Sequence, residues 1–551
     1  MKIELEQHKL LLSTLGELRI DRQPYWSLWR DLANYFLPKR YVWLQSAKEQ
    51  RVREARNPFI LDSTGTSAAR ILASGMMNGI TSPSRPWFRL RVPGYDDDGG
   101  PIAQWADEVS RRMMVVMSES NFYNSMAVLY LDLVIFGSAA NLIYEDEDDI
   151  IRCYNPALGE FYLGQSHRLS VDTFAREFMQ TPKQLCSRFG EENLSETSRN
   201  AYKRGGANAL KPVTVAHLIE PNTGESSVPK KFAYRETYWE LGAPAGTALS
   251  QRGFNELPGV FPRWELTAND SYGTSPAMDA LGDVIQLQLE TKRKAQGLDK
   301  MINPPIVADI QLQHRPTALM PNGITYIAGS NSVGVKPLYE IRAPIQEMTA
   351  DIRDIQTRIR ETLHNDLFNM ISQLDTVRSA AEIDARREEK LVLLGSVLER
   401  FENEALDPAI NRIFSIMQRS NLLPDAPEEI QDAEIQVQYV SILSTAQRAL
   451  AVAPMERWMQ IIAQVSSLNQ DALLIPKWDE MLRDYGQAVG VDAKNINTLE
   501  EIDAQKQQKA QAEQAAQMAQ AAPGLAQGAK NLSETDVGGG ANALQQLLAQ
   551  G

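Results

Sequence analysis

Apolar residues along this chain recur mostly at three- and four-residue intervals, and one such run has unusually clear ends. Over 276–302, Ala277, Leu281, Val284, Ile285 and Gln288 fall on one side, which predicts a helix with an apolar stripe. Ser275 is placed to cap it, Pro276 suits the first helical position and Asp279 the first turn. Lys292, Arg293 and Lys294 lie nearer the C-terminal end, and Pro304-Pro305 stop the run, leaving a rod of roughly 40 Å. A second long helix is predicted over 345–371, with Ile345, Met348, Ile352, Ile355 and Ile359 in register, then Leu363, Leu367 and Met370. Between the two, strand-like runs at 306–310, 324–328 and 333–338 are separated by polar turns. Three short strands bury too little surface to stand alone, so this unit is expected to be completed by copies of itself.

The preceding residues read as an α+β body. Amphipathic helices are predicted at 10–20 and 25–35, with Trp26, Trp29 and Phe36 as core, and a small-residue helix at 64–78 followed by a strand at 87–90. Helices at 107–118 and 122–136 lead to a hairpin of 141–145 with 150–154, its tip the solvated acidic turn Asp146 to Asp149. A strand at 171–179, a short helix capped by Thr181-Pro182 and ending at Gly190, and half-buried strands at 213–220 and 232–241 complete the body. After a break at 372–379, residues 380–420 read as one helix kinked at Pro408, which removes the bond to Glu404. Helices at 458–465 and 478–485 pass into an Ala/Gln-rich tract, 503–528, with little apolar stripe, and a glycine-rich end.

Composition narrows the class. Two cysteines in 551 residues, Cys153 and Cys186, form no CxxC pair, so neither a disulfide framework nor a structural zinc site is expected. The N-terminus carries charges throughout and is not read as a signal peptide. The apolar stretch 124–144 has Asp132 at its centre and reads as a core helix, not a membrane span. A net charge of −14 argues against coating DNA with the bulk surface, yet suits a channel that repels phosphates and keeps DNA from sticking. The exception is locally basic 39–56, read as a solvated loop or a contact with nucleic acid or a neighbouring subunit. The Walker, HExxH and GxSxG motifs are missing, and Gly273-Thr274-Ser275-Pro276-Ala277 only approaches the last.

Several phrases carry a family resemblance. The SYGTSP turn entering a long helix with NPP at its far end resembles the portal proteins, or head-to-tail connectors, of short-tailed podovirus-type bacteriophages. ASGMMNGITSPSRPWF is similar to the same family, as are SAAEIDARREEKLVLLGSVLERFENEALDPAINRIFSIMQRSNLLP and QVQYVSILSTAQRA after it. The resemblance covers most of 25–455 and implies a predominantly helical α+β portal fold. Its parts would be a wing body (1–275), first stem helix (276–303), clip (304–344), second stem helix (345–371) and tunnel loop (372–379). A long kinked helix returning to the wing (380–455) and a helical crown with a flexible tail (456–551) would follow.

The function so implied is a ring of about twelve subunits at one capsid vertex of the virion, assembled in the host cytoplasm. Double-stranded DNA would pass through it during packaging and ejection, with the terminase motor and tail adaptor docking on the clip. Capsid and scaffolding proteins would be further partners, and neither a cofactor, a metal nor a membrane is expected. The implied DNA-channel residues are Gln373, Asp375 and Arg378 of the tunnel loop, with Asp351, Arg358 and Glu361 as lumen-facing stem candidates. Arg378 could equally pair with Glu382 four residues on. Docking candidates in the clip are Asn322, Tyr326, Ser330 and Asn331. The alternatives are another ring-forming head–tail component, such as an adaptor, and a metal-dependent nuclease.

Overall fold

The computed structural model describes residues 3–38, 59–93, 100–223, 228–267, 269–302, 344–366, 395–427 and 436–440, the backbone of 306–308 and 335–337, and scattered residues of 458–530. In chain order the elements begin with α1 (Leu5–Arg22), a 3-10 turn, α2 (Trp26–Phe36), α3 (Thr64–Ile80), β1 (Phe88–Arg91), α4 (Pro101–Glu119) and α5 (Phe122–Phe136). Then come β2 (Asn141–Asp146), β3 (Ile150–Tyr154), β4 (Phe161–Gln165), β5 (Val171–Gln180), α6 (Pro182–Phe189), α7 (Glu196–Arg204) and α8 (Gly206–Ala209). Strands β6 (Val213–Pro221), β7 (Tyr234–Glu240), β8 (Ser250–Phe254) and β9 (Gly259–Val260) precede α9 (Pro276–Ile302). The last elements are β10 (Ile306–Ala308), β11 (Val335–Pro337), α10 (Ile345–Thr362), α11 (Asp407–Arg419) and β12 (Gln436–Tyr439). This is a mixed helix-and-sheet protein, as its patterning predicts.

Contacts divide the chain into two units, the first comprising Met1–Phe88, Arg111–Leu423 and Tyr439–Ala451. Its largest sheet is an antiparallel meander in the order β4-β5-β6-β7-β8. Residues of β6 alternate between two covered faces. Ala216 and Leu218 meet Leu11, Leu15 and Leu18 of α1, while Val215 meets Leu185 of α6 and Leu194. That double cover buries Val215 through Ile219 without a gap, where the sequence pattern had suggested a strand covered on one face only. The α6 cap is as expected: the Thr181 hydroxyl accepts from Gln184 N, and the Gln184 side chain accepts from Thr181 N.

A helical layer of α2, α3, α5, α9 and α10 forms the rest of this core. The small residues of α3 allow close approach, since a Cβ on Gly65 would meet Val284 of α9 at 2.9 Å. Trp29 and Phe36 are fully buried as expected, whereas Trp26 is half-buried beneath the Arg22 guanidinium, 4.8 Å from its ring. Helix α5 is core, with Asp132 buried; no helix among the described residues is long and apolar enough to cross a membrane. The β2–β3 hairpin forms where expected, with Leu142 opposite Tyr154 and Asp146 opposite Ile150, and at its tip the Asp146 carboxylate accepts from Asp148 N and Asp149 N at 3.0 and 3.1 Å. Arg152 binds both Asp146 and Asp149, so these carboxylates serve the turn itself.

Three expectations need correction. The buried stripe of α9 is Ala277, Ala280, Val284, Leu287 and Gln288, whereas Ile285 is exposed and Leu281 only half-buried. Helix α10 ends at Thr362 at a turn of Leu363 and His364, the latter with φ 52°; 365 and 366 are helical again, and 367–371 lie outside the described residues. With its amide oriented to donate, Asn365 there binds Leu363 O at 3.2 Å and Ala68 O of α3 at 2.9 Å. At Pro408 the break takes a specific form: Glu402–Leu406 widen into a π turn, Asp407 N donates to Glu402 O, and the proline enters the first turn of α11. The Glu404 side chain accepts from Arg263 N at 2.9 Å and from Arg263 Nη2 at 2.6 Å, neutralising a guanidinium that is itself buried.

The second unit comprises Arg89–Ser110, Pro424–Gln438 and Val452–Gly551. Within it the Ser110 hydroxyl accepts from Leu90 N at 2.9 Å and donates to Ala106 O at 2.7 Å, while Trp105 Nε1 donates to Pro424 O at 3.2 Å. Strand β1 pairs with β12, and 458–466 is helical as expected. In 304–344, β10 and β11 form an antiparallel pair with Val307 opposite Lys336; the run at 324–328 lies outside the described residues. So do the basic stretch 39–56 and the tract 503–504 and 513–528.

Candidate functional site: the helical hairpin and its anchor

Helices α9 and α10 pack side by side through Val284 and Leu287 on one and Ile352, Ile355 and Ile359 on the other, all buried. A polar knot joins both to the start of α3. The Gln288 carbonyl accepts from Leu61 N at 2.6 Å and Asp62 N at 2.8 Å, and Gln356 Nε2 donates to the Asp62 carboxylate at 2.8 Å. Burial would raise the Asp62 pKa, but hydrogen bonds from Thr64 and Gln356 hold it below the ordinary value. A glutamine inside the apolar stripe of α9 was thus the visible trace of this joint.

The N-terminal end of α9 is anchored by two glycines meeting backbone to backbone. Gly137 ends α5 with φ 73°, and a Cβ on it would overlap the carbonyl of Gly273. Around this crossing Trp264 N donates to Gly137 O at 2.9 Å and Gly273 N to the Ser138 hydroxyl at 2.8 Å. Ser275 accepts from Met278 N at 3.2 Å as the expected cap and donates to Ile135 O at 2.8 Å. Tyr272, just before the crossing, accepts from Leu163 N at 3.1 Å and stacks edge-on with Trp29 at 5.0 Å. The SYGTSP phrase is therefore the joint between helix, sheet and hairpin.

Of the sequence-derived site residues, three are described, and all lie on α10. Asp351 and Glu361 are exposed; Arg358 reaches across the hairpin to Asp283 of α9 at 3.0 Å. Gln373, Asp375 and Arg378, and Asn322, Tyr326, Ser330 and Asn331, lie outside the described residues.

The sheet holds a cluster that single scattered histidines did not forecast. His217, with no exposure, accepts from Arg176 Nε through Nδ1 at 3.0 Å and donates through Nε2 to Glu236 at 2.8 Å. Tyr144 donates to the same carboxylate oxygen at 2.6 Å, and the His217 ring stacks on Tyr238 at 4.0 Å. Burial lowers His217 to about 4, against the pull of Glu236. Burial would raise Glu236, but hydrogen bonds from His217 and Tyr144 hold it at about 2. The strand register explains the cluster, since Arg176, His217 and Tyr238 face one another across β5, β6 and β7.

Hydrogen bonds lock helix to helix and strand to strand on a body that carries a long helical hairpin. The family of bacteriophage head to tail connecting proteins matches residues 8–496, and this chain belongs to it. It is 38% identical over 539 residues to the portal protein of Salmonella phage epsilon15, covering 97% of this chain and 96% of that one. It is 35% identical over 500 residues to the probable portal protein of Bordetella phage BPP-1, covering 90% and 89%. The neck of an empty GTA particle, computed with C6 symmetry, is matched over 72% of this chain and 87% of its own at 10% identity and a TM-score of 0.31, a level on which no fold comparison rests. The family and its portal members are structural, and this chain is not an enzyme.

Proposed function

We propose that this chain is the portal subunit of a short-tailed phage: a ring at one capsid vertex through which double-stranded DNA is packaged and ejected. The observation that carries the reading is the near end-to-end similarity to the epsilon15 portal protein, 97% of this chain against 96% of that one. In this reading 1–275 is the wing body, 276–303 and 345–371 the stem, 304–344 the clip, 372–379 the tunnel loop, 380–455 the return to the wing and 456–551 the crown and tail. About twelve copies close the ring, the clip receives the terminase motor and then the tail adaptor, and the ring is built into the capsid with scaffolding protein. The β10–β11 pair supports the clip assignment, because it joins the two ends of 304–344 as antiparallel strands between the long helices. Mass measurement in solution over a wide concentration range, with negative-stain images, tests the ring. Closed rings with a central channel are expected, and a persistent monomer overturns the reading.

In the tunnel loop Arg378 supplies weak, sequence-independent phosphate contacts that let the duplex slide. Arg378→Ala is expected to leave ring mass unchanged and to alter packaging rate or DNA retention. Glu382→Ala, which removes the possible helical partner, is expected to have no DNA effect. Equal DNA phenotypes in both variants, or none in either, remove Arg378 from the channel.

A further inference from the structure

The α9–α10 hairpin is electrostatically two-sided. At 3.6 residues per turn, Glu347, Asp351, Asp354, Arg358 and Glu361 of α10 repeat at four- and three-residue steps and form one row. Asp279, Asp283 and Glu290 make a similar row on α9. The Arg358–Asp283 ion pair at 3.0 Å puts these rows on the same side of the hairpin. Carboxylates dominate that side, where Arg358 and the half-buried Lys294 are the opposing cations among the described residues. All four α10 carboxylates are exposed.

Roughly a third of a turn round each helix, beyond the packed seam, the character changes sign. On α10 this side carries exposed Arg353 and Arg360, the latter drawn towards Asp62. On α9 it carries exposed Lys292, with Arg293 about a quarter turn away on the outer face and Asp299 two turns further along the Lys292 row. Ile285 and Leu289 share it, with relative exposures of 38% and 44%, an apolar pair left open to water. Gln356, which binds Asp62 on this side, fixes its position opposite the acidic rows.

A surface acidic along one edge and basic along the other does not complement itself by two-fold rotation of a single patch. It complements a second copy translated round an axis, edge to opposite edge. We infer that the acidic edge of one hairpin packs on the basic, apolar edge of the next copy, so that Asp351 and Asp354 face Lys292 and Arg353 of the neighbouring chain. Ile285 and Leu289 are covered in the same contact. This deepens the ring reading and rests on it.

Charge reversal tests the contact on the full chain. Asp351→Lys with Asp354→Lys reverses the sign of the acidic edge at the proposed contact; Lys292→Glu with Arg353→Glu reverses that of the basic edge at the same contact. Each double variant alone, folded by circular dichroism, is expected to need at least about tenfold more protein than the unmodified chain to assemble. An equimolar mixture of the two is expected to restore assembly, because each edge again meets its opposite. Either variant assembling alone like the unmodified chain overturns the inference and returns the acidic row to the channel. Folded variants that assemble neither alone nor mixed overturn the pairing as well. A chain without substitutions that stays monomeric at every concentration overturns the ring reading instead, and this contact with it.

Discussion

Gly273→Ala should cost about 4 kcal/mol or more, enough to deplete soluble protein, because its methyl group has nowhere to go. The added Cβ would overlap Gly137 O and lie 3.0 Å from Glu265 O and 3.1 Å from Trp264 N, all backbone atoms that no rotamer change can move. Gly137→Ala meets the same crossing from the other side and adds strain at φ 73°. Relief would mean separating the end of α5 from the start of α9, which breaks the Gly273 N–Ser138 and Ser275–Ile135 hydrogen bonds. Gly282→Ala on the same helix is the control. A Cβ there meets nothing within 4 Å, so better helix propensity should stabilise the protein by about 0.5–1 kcal/mol. Thermal unfolding of the three variants separates the cases. A Gly273→Ala protein that melts with the parent would show that the two backbones are not in contact.

This crossing also shows how far sequence reasoning reaches. The ends of α9 were legible, Pro276 to Ile302, because caps and prolines act locally and Ser275 caps whatever else the fold does. The β2–β3 hairpin and the Thr181 cap were legible for the same reason. Why the SYGTSP phrase needs its glycine was not, since the partner, Gly137, lies far back in the chain. The break in α10 at Leu363 and His364 was not legible, since the periodic spacing runs through it and the Asn365 contact with Ala68 of α3 comes from far back in the chain. Pro408 announced a break, but the π turn and its Glu404–Arg263 pair depend on a guanidinium delivered from the loop before α9. Of the candidate site, Asp351, Arg358 and Glu361 could be placed on one row from spacing alone. The sign of the opposite edge needed Asp283 and Gln356 to fix how the helices face.

Glu236→Ala is the other change expected to be severe, about 3–5 kcal/mol at neutral pH. Its carboxylate has no exposure and accepts from His217, Tyr144 and Tyr238 at 2.8, 2.6 and 3.2 Å. Removing it leaves these donors dry, while the Arg176 guanidinium keeps Glu160 at 3.5 Å. Acid should weaken the parent protein at the same place. His217 falls from 6.5 to about 4 on folding, so the unfolded chain takes up a proton that the folded one refuses, and stability drops as pH falls through that interval. Glu236 falls from 4.5 to about 2, so its contribution, complete above 4.5, is lost as pH drops towards 2. The two losses have the same sign and adjoin. Glu236→Gln keeps an oxygen to accept from His217 and Tyr144 but has no charge to titrate. It should cost less than the alanine at pH 7, and, with the carboxylate's upward pull on His217 gone, the decline that begins at 6.5 should continue below 4. Urea midpoints measured from pH 7 to 3 separate these outcomes. A parent or glutamine variant whose midpoint does not fall between pH 6.5 and 4 would mean that other groups drive acid unfolding, and the His217–Glu236 pair would lose its place as the acid-sensitive joint of the sheet.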